Sequence, residues 1–470
     1  MAQRWKVLLI VSVGLFMSSL DLFIVNIAFP DLARDFDGAS LASLSWVLNA
    51  YAIVFAALLV PAGRFADRVG RKRVFVAGLL LFTAASALCA AAPSVAFLVA
   101  ARVLQAAGGA MMIPATLGLI LPAFPPRQRA LAIGIWSAVG GVAAALGPPI
   151  GGIVLELSWR GIFLINVPIG IAAAVLAWLA LDEVREPEDG RPDLLGALEL
   201  ALGIAALTLG IVKGSEWGWG DARTLAAFAG AALLVVAFVR RSARHQAPVI
   251  ELPLLRVRSF ALANLTALVF FAGFGAMLLA GVLLLTEAWG YSALKAGFAL
   301  SPGPLMAAAF AIPSGRLGGR IGQRPLAIAG GLAFAASFAW LLLRIDSTPD
   351  YLTGFLPGNL VGGAGVGMLL GTLPAAATAS LPPSRFATGT AVFSMARQLG
   401  VAIGVAVLVA LLDDSIGGNL LAGLRRGWWF CLAAGIGSAA LAAGLRPAPA
   451  PATAPAAEPM SPETAPARAT

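Results

Sequence analysis

Gly63-Arg64-Phe65-Ala66-Asp67-Arg68-Val69-Gly70-Arg71-Lys72-Arg73 joins two apolar runs, 44–62 and 74–92. Each run is close to the roughly 20 residues with which a helix crosses a bilayer core. Five cations among eleven residues cannot lie in hydrocarbon, so the stretch is expected to form a tight loop at a membrane face. Lys and Arg collect on the cytoplasmic side of membrane proteins, so the loop is expected to point inward. A second copy follows, Gly315-Arg316-Leu317-Gly318-Gly319-Arg320-Ile321-Gly322-Gln323-Arg324. It repeats Gly-Arg-x-x-x-Arg-x-Gly in the corresponding place, with Gly319 where the first copy has Asp67. A repeat of this kind implies two related helical bundles.

The first copy resembles the loop between the second and third spans of the major facilitator superfamily of secondary transporters, Gly-x-Leu-Ala-Asp-Arg-x-Gly-Arg-Lys. Phe65 stands in place of the Leu. Charge placement alone explains neither the small residues, nor Asp67, nor the repeat.

Composition agrees with a membrane chain. Of the 470 residues 60% are hydrophobic and 12% charged, against about 25% charged in soluble domains; mean hydropathy is +0.90. The net charge of +9 would suggest nucleic acid in a soluble protein. Here the cations follow the loops of one face, so topology accounts for them. One histidine, His245, and two cysteines, Cys89 and Cys431, both in apolar runs, argue against a disulfide framework, a Cys/His zinc site or an intramembrane Ser-His-Asp triad. Arg4 and Lys6 precede an apolar run that continues past 20 residues without a convincing cleavage site, which reads as a retained first span.

Apolar runs fall near 6–28, 44–62, 74–92, 95–121, 129–155, 160–181, 193–213, 222–240, 258–286, 295–314, 325–343, 351–373, 386–411 and 427–445. The expected fold is an all-α integral membrane protein of fourteen spans. It divides into a six-helix bundle (1–182), a linker with two extra spans (183–255), a second six-helix bundle related by pseudo-two-fold symmetry (256–446), and an Ala/Pro-rich tail (447–470) too poor in apolar residues to build a core. The segment 182–193 marks the break between halves. With both termini inside, the inner loops hold most of the Lys and Arg.

Asp21 lies mid-span in Ser18-Ser19-Leu20-Asp21-Leu22-Phe23-Ile24-Val25-Asn26-Ile27-Ala28-Phe29-Pro30. A carboxylate at that depth costs several kcal/mol unless it faces water, is paired or is protonated, which suits proton coupling or cation binding; permanent helix-packing duty is the alternative. Arg102, in Arg102-Val103-Leu104-Gln105-Ala106-Ala107-Gly108, needs an acceptor within its span, and Asp21 is the deep carboxylate of the same bundle. Snorkelling to the interface is its alternative. Asn26 and Gln105 are candidate cavity residues. In the fifth span Gly147-Pro148-Pro149-Ile150-Gly151-Gly152 removes two backbone donors and is expected to kink the helix. In the thirteenth, Arg397-Gln398-Leu399-Gly400 puts a second arginine inside the membrane, lining the cavity, paired across the bundle or satisfied by carbonyls. Trp136, Phe270, Phe271 and Phe274 are candidate aromatic linings of a seam between bundles, though such residues also serve packing. Glu287, Asp413 and Asp414 fall at helix ends, and Glu199 in the extra pair.

Several of these segments resemble the fourteen-span drug–proton antiporter branch of that superfamily. The first span resembles Leu-Asp-x-Thr-Ile-Val-Asn-x-Ala-Leu-Pro, with Phe23 and Phe29 replacing Thr and Leu. Arg102 and Gln105 resemble its Arg-x-x-Gln-Gly, whose Arg is implicated in proton transfer. Gly147, Pro148, Gly151 and Gly152 resemble its antiporter signature, which favours export. Trp159-Arg160-Gly161-Ile162-Phe163-Leu164-Ile165-Asn166-Val167-Pro168 and the Arg397 segment resemble two more of its motifs; Trp159 and Arg160 are expected to be interfacial anchors.

The resemblance implies a proton-coupled exporter of amphipathic drugs or antibiotics working by alternating access in the cell membrane. Asp21 and Arg102 would couple protons. Gly63, Asp67, Arg68, Gly70 and Arg71 would form an inner-face latch, with Asp67 pairing with helix N-termini or cations of the other half. No cofactor or metal is implied, the proton gradient being the drive. The implied partners are a small amphipathic substrate of low positive charge or none, protons and lipid, with no nucleic acid, in a monomer. An importer of the same fold and an exporter of one dedicated metabolite remain open; an enzyme or sensor would need a His, metal or nucleophile cluster absent here.

Overall fold

The computed structural model of the chain describes residues 3–36, 39–185, 192–379, 381, 386–413 and 420–445. The break segment 186–191, Asp414 and the tail 447–470 lie outside the described residues. Among those described, all regular structure is helical. In chain order the long helices are α1 (Gln3–Ile27), α2 (Leu41–Val69), α3 (Arg71–Ala90), α4 (Val95–Ala123), α5 (Pro126–Leu155), α6 (Gly161–Ala180), α7 (Leu194–Trp217), α8 (Ala222–Ser242), α9 (Arg258–Ala288), α10 (Ala293–Ile321), α11 (Gln323–Arg344), α12 (Tyr351–Thr378), α13 (Phe386–Asp413) and α14 (Leu420–Ala443). Thirteen of them, α1 to α13, are long and apolar enough to cross a membrane. The last, α14, is as long but opens with Arg425 and Arg426. It buries Trp428 and Cys431 against its neighbours.

Helices are forced here because hydrocarbon offers no partner for backbone N–H and C=O groups. Where they begin, short polar side chains take up free N–H groups. Ser40 accepts from Ser43 N (3.2 Å), Ser94 from Phe97 N (3.3 Å), Asp193 from Gly196 N (2.8 Å) and Ser292 from Lys295 N (3.2 Å).

The packing repeats with an offset of eight helices. In the first half α1 packs on α4, α5 and α6, α2 on α4, and α3 on α4 and α6. In the second, α9 packs on α12, α13 and α14, α10 on α12, and α11 on α12 and α14. Helices α7 and α8 stand outside this correspondence; they pair with each other, and α7 lies against both α2 and α13. The halves meet through α2 against α13 and α5 against α10, two contacts that a pseudo-two-fold exchange of halves interconverts.

The basic stretch is not the loop its charge suggests. Helix α2 continues through Gly63, Arg64 and Asp67 to Val69, and α3 starts at Arg71. The whole turn is Gly70, at φ 129° and ψ 127°, a conformation open to glycine and strained for other residues. The second copy turns the same way on Gly322, at φ 88°. Charges can ride on the end of α2 because its 29 residues exceed the roughly 20 that cross a bilayer core. Glu183, beyond α6, caps the start of α3 by accepting from Lys72 N (3.0 Å) and Arg73 N (3.3 Å). A Cβ on Gly70 would stand 2.5 Å from that carboxyl group. Gly70→Ala is therefore expected to destabilise the first half by about 1–3 kcal/mol, read as a lower midpoint of thermal unfolding in detergent, while Gly319→Ala, where a Cβ meets open space, leaves the midpoint unchanged.

Candidate functional site

Five helices of the first half meet around Asp21. It sits on α1 with no exposed surface, as does Arg102 on α4. Arg102 Nη1 donates to Asp21 Oδ2 at 2.5 Å. Gln105, one turn along α4, donates from Nε2 to Asp21 Oδ1 at 2.9 Å and accepts from Arg102 Nη1 at 2.7 Å. Gln105 Nε2 also reaches Ser86 Oγ of α3 at 2.9 Å, and Asn166 Nδ2 of α6 donates to the same hydroxyl at 3.0 Å. Arg102 Nε donates to the Val47 carbonyl of α2 at 3.1 Å. Its guanidinium lies 4.2 Å from the centroid of the Tyr51 ring, and Tyr51 Oη bonds Ser18 Oγ of α1 at 3.1 Å.

The arrangement determines what a proton can do here. A buried arginine does not give up its charge, so the carboxylate is the member of the pair that can be neutralised. Protonation would break the ion pair yet leave Arg102 with Gln105 Oε1, Val47 O and the Tyr51 face. The pair can thus open without stranding a bare cation. Asp21→Asn leaves the guanidinium uncompensated and is expected to cost about 3–5 kcal/mol. Arg102→Met is expected to cost less, because Asp21 can take up a proton. The double variant should cost less than the sum, a non-additivity that a double-mutant cycle of thermal unfolding reads directly.

The other expected residues divide. Gln105 is not a cavity lining; it is sealed inside the Asp21 network. Asn26 is buried and donates to the Leu22 carbonyl of its own helix at 2.7 Å. Trp136 is partly buried and packs against the core of the first half. Phe270 turns into the second half, 5.3 Å from Phe334. Phe271 and Phe274 stand 5.7 Å apart, and Phe274 meets Phe23 of α1 at 6.3 Å, an aromatic contact between the halves. Arg397 on α13 is partly buried, 6.0 Å from the Phe271 ring centroid.

The Asp67 carboxylate accepts from Arg71 Nε at 2.7 Å, across the Gly70 turn. Arg71 Nη1 in turn donates to the Gly118 carbonyl at 2.9 Å, tying α2, α3 and α4 together. A link toward the second half is Arg64 to Glu251, at 3.4 Å, just before α9.

Of the fifth-span residues, Gly147 and Gly151 pack on Phe23 and Ile27 of α1, within the first half, while Pro148 and Gly152 meet α10 of the second. Helix α5 runs continuously through Pro148 and Pro149. A Cβ on Gly152 would lie 2.8 Å from the Ala293 carbonyl oxygen of α10, and one on Gly297 of α10 would collide with the Pro148 carbonyl oxygen. Near the same face Arg34 donates to Asp31 at 2.9 Å and to Glu287 of α9 at 3.0 Å. Burial pushes the Asp31 carboxyl up against the pull of Arg34. Trp159 Nε1 and Arg160 bond Asp35 at 2.7 and 3.0 Å, and these bonds hold it below the usual carboxylate range. The face opposite Gly70 is therefore closed by backbone contact between α5 and α10. Gly297→Ala is expected to wedge it open. A Phe23→Cys reporter should then react severalfold faster with an impermeant maleimide from that face, with Cys89 and Cys431 silent because both are buried.

Tyr51, Ser86 and Asn166 are site members that motif reading missed or took as structural. Their signal was present: each is a polar residue inside an apolar span, where such groups demand a partner.

Comparison with known proteins places the chain. The profile described as Major Facilitator Superfamily matches residues 11–284 and 263–468. A probable actinorhodin transporter of Streptomyces coelicolor is 37% identical over 439 residues, covering 91% of this chain and 75% of that protein. The multidrug resistance protein Stp of Mycobacterium tuberculosis is 34% identical, covering 89% and 78%. A tetracenomycin C resistance and export protein of Streptomyces glaucescens is 34% identical, covering 88% and 77%. Among solved structures, a bacterial homolog of the human lysosomal transporter Spinster superposes with TM-score 0.68 at 18% identity, over 94% of this chain and 96% of that one; at that identity it speaks to the fold alone.

Proposed function

The chain belongs to the Major Facilitator Superfamily, and from that premise we propose that it is a proton-coupled exporter of small amphipathic compounds, working by alternating access, with no chemical step and no cofactor. The observation that carries this reading is the closed network of Asp21, Arg102 and Gln105. A carboxylate with no exposed surface, held by a cation that keeps other partners when released, is a group on which proton uptake can be exchanged for a change in packing. Export rather than uptake rests on the relatives, which are named as resistance and export proteins, and on the resemblance of Gly147, Pro148, Gly151 and Gly152 to the antiporter signature.

In this reading the Gly70 face is cytoplasmic, both termini are inside, and α14 is the fourteenth span of a monomer in the cell membrane. Helices α1–α6 and α9–α14 are the rocking halves, with α7 and α8 the inserted pair. Protons from outside reach Asp21 as substrate leaves. The carboxylate then returns inward, loses its proton to the cytoplasm and permits the next loading. The turn around Gly70 keeps α2, α3 and α4 moving as one body. A dedicated natural product as substrate is favoured by the relatives named for single compounds, actinorhodin, tetracenomycin C and cephamycin.

The test uses inside-out vesicles with an acid lumen and a luminal pH dye. Addition of substrate is expected to raise luminal pH in the wild type. Asp21→Asn/Arg102→Met, the pair that keeps the buried site neutral, is expected to abolish that rise while the protein remains folded. A rise of wild-type size in the double variant would remove Asp21 from the proton path. Silence of the wild type toward aromatic acids, neutral aromatics and lipophilic cations alike would sink the exporter reading.

A further inference from the structure

Among the described residues Arg102 and Arg397 are the arginines set deep in the helices, and of these two only Arg102 is paired with a carboxylate. Arg102 is paired with Asp21 at 2.5 Å. Arg397, on α13, makes no ion pair or hydrogen bond among the described residues, and its Nε is buried without a partner. Its guanidinium faces the Phe271 ring at 6.0 Å, on a helix that packs against α2 of the first half. From Phe271 the aromatic wall continues through Phe274 to Phe23 of the first half, with ring separations of 5.7 and 6.3 Å. Phe23 lies two residues beyond Asp21.

An arginine in this position cannot lose its charge, and desolvation without an acceptor is unfavourable. Its planar fork matches a carboxylate or another pair of acidic oxygens, and the rings beside it, Phe271 and Phe274, are apolar and almost wholly buried in this conformation. Asp21 is not free to neutralise it, since both carboxylate oxygens are already bonded to α4. A lipophilic cation at the seam would therefore meet an unbalanced positive charge; an anion would remove one. Resting on the exporter reading, we propose that Arg397 is the subsite for an acidic group, a carboxylate or ionised phenol, on a flat aromatic substrate whose rings lie along Phe271, Phe274 and Phe23.

The test is a matched set of fluorescent probes: anthracene-2-carboxylate, its primary amide and the corresponding aminomethyl cation. Binding is measured to the full chain in nanodiscs and flux in the inside-out vesicles. The acid is expected to bind about ten- to a hundredfold more tightly than the amide, the range of a charge-assisted hydrogen-bond set, and the cation most weakly. Arg397→Gln is expected to bring the acid-to-amide ratio to about one, and Arg397→Lys to keep part of it. A wild-type ratio of about one, a preference for the cation, or a ratio unmoved by Arg397→Gln would overturn the subsite; the wild-type ratio needs no variant to fold. Acid-selective binding without pH-driven flux would leave the subsite standing and remove proton-coupled export. Flux of amide and cation without acid preference would do the reverse.

Discussion

A carboxylate and a guanidinium with no exposed surface can coexist in an apolar body only if every neighbouring helix contributes to them. The Asp21–Arg102 pair illustrates how much that demands. Its attraction alone does not offset the loss of water around both ions; the remainder comes from Gln105, Ser86, the Val47 carbonyl and the Tyr51 ring, drawn from α2, α3 and α4. Helix α6 adds Asn166 behind Ser86. The mutual placement of the first half's helices is thus tied to one buried ion pair. The second half has no such pair among its described residues, and its corresponding core is filled by Phe270, Phe334 and Phe338. The two bundles share a packing plan but not a chemistry.

Contacts between halves follow a different logic. Where α5 meets α10 the approach is backbone against backbone, at Gly152 and Gly297. Where α2 meets α13 it is side chain against side chain, with Ala52, Ile53, Ala56 and Val60 facing Val392, Met395 and Ala402. Contacts built on glycine and alanine have little interdigitation to undo, so such surfaces separate at lower cost than the phenylalanine core within a half. The salt bridge from Arg34 to Glu287, largely exposed, adds little beside them.

The sequence was informative wherever physics leaves one solution. Apolar runs of sufficient length gave the helices and their order, because nothing else satisfies a backbone in hydrocarbon. The Gly-Arg repeat marked the two halves, and a deep Asp with a deep Arg predicted their pairing, since neither has another counter-ion within its bundle. Helix ends were less legible. The cationic stretch from Gly63 to Arg73 reads as a loop by charge, yet is helix on both sides of Gly70, because protruding turns may carry any charge the headgroup region accepts. Gln105 was ambiguous for a similar reason: one polar side chain in a span could face a cavity or a buried ion, and the rotation of α4 against α1 sets it on Asp21 here. Tyr51 carried no motif of its own, and its role depends on which face α2 turns toward Arg102.

The inserted pair α7–α8 bears on how the halves can move. Helix α7 buries Ala197, Leu200 and Ile204 in the same cluster that joins α2 to α13, whereas α8 is largely exposed. A helix resting on one half alone would ride with it. Helix α7 rests on both, across the line where they meet, so rocking of one half against the other must slide α7 along α2 or along α13. Arg241 fixes the start of α7 to α8 through Asp193 at 2.6 Å, so the two helices shift as a unit. The inserted pair therefore covers the line where α2 meets α13, with α7 contributing to the cluster that joins the two halves there.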